Sequence, residues 1–423
     1  MTENNPINPS SFGISPKYGF LSPTAPLTTF SNPYYQPWDT ITSNLSSLIA
    51  SNQLHDAVAQ LPLLHTNKLI GELEYRRAYV VLAFLAHAYV WSKKQPDGLI
   101  PPQISEPFLE VCEYHRIQPV ITYTALCTWN WKLRNGGTFE LQDMEPLASF
   151  TGTRGEAAFY HVPVLVEWEG GCLMHLLIGA IGAVASGDRV TVVDALEESS
   201  RSIVRMGEQL SKMYANLDAD AFYHELRPFF AGGKGMEEKG LHRGMVFQKS
   251  DGSEICCKLV GGSAVQSSLF PFIDCALGVE HNDDALFKVW LPCYHTDCGR
   301  PRLTVTQEMR AYMPGQHRDF LEEVSRLPSL RNYVQDHVDD TELREAYDGC
   351  LTKLRAWRGK HIAIVSKYIV QPAREAARAS VVEKIEVDAS DAAKDEWEIQ
   401  GTGGSALMPF LRQARDDTKG VDI

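Results

Sequence analysis

The chain has 423 residues, 44% of them apolar and 22% charged, and a formal net charge of −13. This is the composition of a soluble globular protein too long for one ordinary core, so two domains are expected. The acidic balance argues against nucleic acid and an anionic membrane surface as partners, because both repel negative charge.

Nine cysteines, an odd number with no repeating framework, fit reduced thiols in a cytoplasmic protein. The segment Met1 to Ser11 is polar and lacks a charged stretch followed by an apolar one, so no secretory signal is read there. A monomer is expected.

Residues 1–37, rich in Pro, Ser, Asn and Tyr, read as an irregular arm. Helical periodicity begins near Thr40, with Ile41, Leu45, Leu48 and Ile49 on one face, and resumes through Leu54, Val58 and Leu61. Glu72 to Trp91 predicts a buried helix. Its apolar part, Ala78 to Trp91, is the longest apolar run read from the sequence; it is too short to span a membrane and contains His87. Two more helices are expected over Glu106 to His115, with Pro107 in the first turn, and over Val120 to Leu133. Gly136-Gly137 and Thr151-Gly152 place a boundary between a small helical domain, 38–150, and a large one, 151–423. Val192 to Leu217 predicts a long helix, and Met245 to Leu259 a hairpin turning at Asp251-Gly252. The apolar stripe Leu343, Tyr347, Cys350, Leu354, Trp357, His361, Val365, Tyr368 predicts another long helix that stops before Pro372. Lys384 to Gln400 reads as an exposed loop, and Ser405 as the cap of a short terminal helix. No internal repeat is visible, and the fold class is all-α.

Four features carry potential chemistry. The stripe takes His361 into the interior, where an imidazole must be hydrogen-bonded or ligated; it is either a satisfied core histidine or the single protein ligand of a haem. In Gly261 to Ser268, Ser263 and Gln266 have capping-box spacing, so a helix starts there, and the paired glycines also permit close approach to a flat ligand. Gly401-Thr402-Gly403-Gly404 is a flexible loop or a lid over a substrate. Arg227, among Phe222, Tyr223, Phe229 and Phe230, suits a carboxylate or an internal ion pair. Cys293, His295 and Cys298 lie close together but lack a second ligand pair at zinc-finger spacing. His281-x-Asp283, His295-x-Asp297 and His337-x-Asp339 each offer part of a non-haem iron site, although such sites usually occupy a β-barrel.

Taken together, Gly261 to Ser268, Met309 to Leu321 (MRAYMPGQHRDFL), Leu343 to Tyr368 and Gly401 to Met408 (GTGGSALM) resemble the indoleamine 2,3-dioxygenase family over roughly residues 120–415. The resemblance implies a two-domain helical fold with haem b between helices of the large domain, and O2 as co-substrate. It implies His361 as the proximal iron ligand, Ser263 and Ala264 on the distal haem face, Arg227 on the substrate carboxylate, and Tyr123, Phe159, Phe222 and Tyr223 in the pocket. Thr402 is implied to close near the substrate's amino and carboxylate groups. The implied reaction converts L-tryptophan to N-formylkynurenine, the first step of the kynurenine pathway. A haem or oxygen binder without turnover, and a relative acting on another indole, are the alternatives. The chain departs from the family pattern in three places. Pro163 stands where a small hydroxyl residue is common, Val265 where glycine is usual, and Leu291 to Arg302 reads as extra sequence. Whether His161 faces the distal side or solvent is left open.

Overall fold

The computed structural model describes residues 6–134, 136–281, 305–384, 407–421 and 423, and it is predominantly helical. The helix Gly71–Trp91 runs through the middle of the N-terminal region. Every residue from Ala78 to Ala88 is fully buried. An apolar surface on all sides leaves such a helix nowhere to lie but the core. Beyond it, Arg154–Ser186 and Arg189–Ser211 form a hairpin of long helices. Gly187 turns the chain at φ +68°, and Asp188 caps the second helix by accepting from the Thr191 N–H. Thr341–Val365 packs against the second arm, with Asp340 as its N-cap. Arg189 donates to Asp340 (2.7 Å) and Glu342 (2.6 Å), tying the starts of these two helices together.

Strands are short. β1 (Leu99–Ile100) pairs in parallel with β4 (Met245–Gln248), which pairs antiparallel with β5 (Glu254–Cys257); β2 (Lys132–Leu133) pairs with β3 (Met144–Glu145). The β4–β5 hairpin is the one expected, with Gly252 at φ +82° in its turn.

Several boundaries differ from the sequence reading. The second helix begins at Pro102, so Pro107 lies inside it rather than in its first turn. Val120 to Leu133 is not a helix: only Thr124–Thr128 is helical, as one π-turn, and the chain then enters β2. Pro372 does not end the His361 helix. A π-turn over Ser366–Val370 intervenes, and the helix Gln371–Lys384 carries Pro372 in its first turn, where its missing N–H is tolerated. The longest apolar helix is Arg154–Ser186, not Gly71–Trp91. By length and composition it is able to cross a membrane, but 67% of its apolar window is buried inside the protein, as in a core helix. Pro163 sits within this helix.

Candidate active site

Two cavities meet at His361. The larger has about 1210 Å³ of atom-free space, counted out into the solvent at its mouth. Its lining brings together Tyr123, Phe159, Phe222, Arg227, Ser263, Ala264 and His361 from five separate segments. The second, of about 860 Å³, shares Ala264, Val265, Ser267, Phe270, Trp357, His361 and Leu411 with the first. The rest of its lining is Pro271 and Ala414 together with the charged and polar Asp274, His281, Arg358, Gln413 and Asp417.

Three π-turns shape the larger cavity. Thr124–Thr128 supplies Leu126 and Cys127, Ala221–Leu226 supplies Phe222, and Ser366–Val370 supplies Tyr368 and Ile369. A π-turn adds a residue to the helical repeat and re-aims the side chains after it, which is why such turns concentrate at binding sites. The third is anchored by the Tyr368 hydroxyl, which donates to the carbonyls of Met213 (3.0 Å) and Leu217 (3.2 Å).

The His361 imidazole lies deep, and the surface it keeps opens into the two cavities. Burial lowers its pKa to about 4, so it is neutral at pH 7 with a lone pair available. It forms no hydrogen bond among the described residues. The Trp357 indole, one turn earlier, stacks beside it at 5.6 Å and 17°, and Phe270 packs on Trp357 at 4.1 Å. Among the described residues no group of three His, Cys, Asp or Glu is placed to hold a metal ion. A single neutral nitrogen donor facing a large apolar space suits a metal that brings its other ligands with it, as haem does.

An aromatic wall stands on one side. Phe159 stacks on Phe230 (5.1 Å, 15°) and packs against Phe222 (4.8 Å). Arg227 lines the same cavity. Tyr223 does not line it; its ring lies under the Arg227 guanidinium, 5.2 Å from the centroid. Burial lowers the arginine's pKa and Tyr223 opposes the shift, but a guanidinium stays charged.

Ser263 and Gln266 form the expected capping box, over a short 3-10 turn, Ala264–Gln266, that leads into the helix Leu269–Leu277. The paired glycines answer to the protein itself. A Cβ on Gly261 would stand 1.7 Å from the Phe230 carbonyl oxygen, and one on Gly262 would stand 2.5 Å from Leu126. The motif Met309 to Leu321 braces this loop: the Tyr312 hydroxyl accepts from the Val260 N–H (3.1 Å), and His317 Nδ1 pairs with the Ser268 hydroxyl (3.1 Å).

Four polar groups around the cavities have contacts that the sequence does not reveal, although His87 and His281 are noted there in other settings. His87 Nδ1 lies 2.8 Å from the Phe229 carbonyl, while its Nε2 accepts from the Ile121 N–H at 2.8 Å. A backbone donor on one ring nitrogen and an acceptor on the other fix a neutral tautomer, and burial holds the pKa down to about 4. His87 thereby joins the segment before Tyr123 to the segment after Arg227. At the second cavity, Arg358 donates to both oxygens of Asp274 (2.6 and 2.8 Å) and to the Ala414 carbonyl (2.8 Å). His281 lies between Asp274 (2.9 Å) and Asp417 (3.0 Å). The fourth is Glu167, behind the cavity wall and bonded to Tyr123 and Ser267.

The remaining candidates fall elsewhere. His161 is buried but lines neither cavity, so it faces neither a distal ligand nor solvent. His337 lies against the Tyr333 carbonyl at 2.8 Å, on the surface. Thr402 and the Gly401 to Gly404 run, the exposed-loop expectation over most of Lys384 to Gln400, Cys293, His295, Cys298, Asp283 and Asp297 lie outside the described residues.

Residues 8–421 match the family described as indoleamine 2,3-dioxygenase. The chain belongs to that family. Its relatives include the 6-hydroxytryptophan 2,3-dioxygenase fscD of Fusarium equiseti, 34% identical over 410 residues, which cover 96% of each protein. The indoleamine 2,3-dioxygenase of Saccharomyces cerevisiae is 33% identical over 425 residues, covering 96% of this chain and 91% of that one. A protein named myoglobin from Haliotis diversicolor is 29% identical over 415 residues, covering 98% of each. Membership makes the chain a dioxygenase of the haem-dependent, indole-oxidising class.

Proposed function

We propose that the protein inserts both atoms of dioxygen across the indole C2–C3 bond of L-tryptophan, giving N-formylkynurenine, with haem b held by His361. The observation that carries this reading is the convergence on one cavity of a neutral imidazole with no hydrogen-bond partner among the described residues, an arginine and an aromatic wall. Haem, when bound, supplies the redox chemistry with dioxygen. The chain's own residues bind and orient. His361 would hold the iron, and Ser263 and Ala264, which line the same cavity, would border the bound group. Arg227 holds the substrate carboxylate through two parallel hydrogen bonds. Phe159, Phe222 and Tyr123 enclose the flat ring and keep water away.

The test is turnover of the haem-loaded, reduced enzyme under labelled dioxygen. N-formylkynurenine carrying two labelled atoms is expected from L-tryptophan. Two other readings have specific support. The Fusarium relative's name directs a parallel assay with 6-hydroxytryptophan. The Haliotis relative's name favours an oxygen binder on the same fold, which would bind dioxygen reversibly and form no product from either indole.

A further inference from the structure

We propose that Glu167 is a positioning residue that stores a proton behind the cavity wall, and that this proton decides how Tyr123 and Ser267 present their hydroxyls to a bound ligand. The proposal rests on the reading of the cavity as an indole site. Glu167 is 1% exposed. The Tyr123 hydroxyl donates to Glu167 Oε1 at 3.0 Å and the Ser267 hydroxyl donates to the same oxygen at 2.6 Å. Both donors belong to residues that line the cavity, and they come from segments distant in the chain. Glu167 Oε2 is enclosed and has no hydrogen-bond partner among the described residues.

An ionised carboxylate buried from solvent with one oxygen that no described residue contacts is costly, and no cation among the described residues pairs with it. The titratable groups facing Glu167 are Tyr123 and Cys127, beside the Ser267 hydroxyl; Arg227 lines the same cavity. Burial raises the Glu167 pKa to about 7, although both hydroxyls pull it down. Near neutral pH the acid therefore changes charge, and the hydroxyls must respond. Ionised, it draws both hydroxyl hydrogens to itself and leaves their lone pairs toward the cavity. Protonated on Oε1, it donates that hydrogen to one of the two hydroxyl oxygens, whose own hydrogen then points elsewhere. A ligand that donates, such as an indole N–H, is favoured by the ionised form.

Two measurements on the full chain test this. The first is infrared: a protonated-carboxyl C=O band should titrate near pH 7 and vanish in Glu167→Gln. Tyr123→Phe and Ser267→Ala should each move that titration upward, because each removes a donor to the carboxylate. The second is the Kd of L-tryptophan for the haem-loaded protein, followed by the shift of its visible spectrum between pH 6 and 8. The wild type should bind roughly three- to tenfold more tightly at the higher pH, the contribution of about one hydrogen bond, and Glu167→Gln should show no such dependence. No carboxyl band at pH 6, or the same Kd profile in Glu167→Gln as in wild type, would overturn the proposal. If L-tryptophan does not bind at all, the substrate assignment fails, and the infrared titration alone decides the state of Glu167.

Discussion

Arg227 lines the cavity amid aromatic rings, with Tyr223 beneath its guanidinium, so little water screens its charge. Truncating one partner of a desolvated charge pair costs about 2–5 kcal/mol. Arg227→Leu should therefore lower kcat/KM for L-tryptophan by about thirtyfold to several thousandfold while haem content stays normal; a loss of haem together with turnover would make it a scaffold residue. Pro163 carries the opposite expectation. It lines the cavity from inside the helix Arg154–Ser186 and supplies no N–H to the Phe159 carbonyl one turn back. Interior proline costs a helix about 3 kcal/mol, and the segment it disturbs holds an aromatic wall residue. Pro163→Ser should raise Tm and lower KM for L-tryptophan; an unchanged micromolar KM in both proteins would show that proline leaves the pocket intact. His361 and Arg227 were legible because each stands in a pattern of near neighbours, an apolar stripe in one case and an aromatic cluster in the other. Glu167 and His87 were not, because their partners lie 44 and 100 residues away in one case and 34 and 142 in the other. An acid that follows the apolar run Val162 to Val166 is the signal the sequence offers for Glu167.

Helices were legible where their periodicity stayed at 3.6 residues. The π-turns broke that period, which is why Val120 to Leu133 was misread and why the His361 helix passes Pro372. The terminal helix Leu407–Asp417 makes a prediction of its own. Met408 and Leu411 pack on Val365 and Val370, and the polar side is held by Arg358 and by His281. Burial opposes charge on His281, but Asp274 and then Asp417 outweigh it, so its pKa is raised above the ordinary value of 6.5. A raised folded pKa contributes stability that is complete below 6.5 and is lost as pH climbs through the folded value. Hydrogen exchange in 407–417, corrected for its intrinsic pH dependence, should accelerate from neutral to alkaline pH in the wild type. His281→Gln should exchange fast throughout. Equal protection at both pH values in the wild type would remove His281 from the latch.

Across the whole molecule, buried apolar side chains from the N-terminal arm to the Thr341–Val365 helix form one continuous cluster, and the two cavities interrupt it around His361. His87 secures that cluster where the Tyr123 and Arg227 segments meet. His87→Leu leaves the Ile121 N–H and the Phe229 carbonyl buried without partners, at about 1–3 kcal/mol each, so Tm should fall sharply; a change of less than a degree would show that both groups find other partners. Haem filling the cavities binds the folded state alone and should raise Tm in proportion to RT ln(1 + [L]/Kd). The central claim is that this haem hangs on His361. The most direct measurement is the haem stoichiometry and ferrous spectrum of His361→Ala beside the wild type. The wild type should hold near one haem per chain, and the mutant should hold little and lack the spectrum of a histidine-ligated ferrous iron. Full haem content and an unchanged ferrous spectrum in His361→Ala would contradict it.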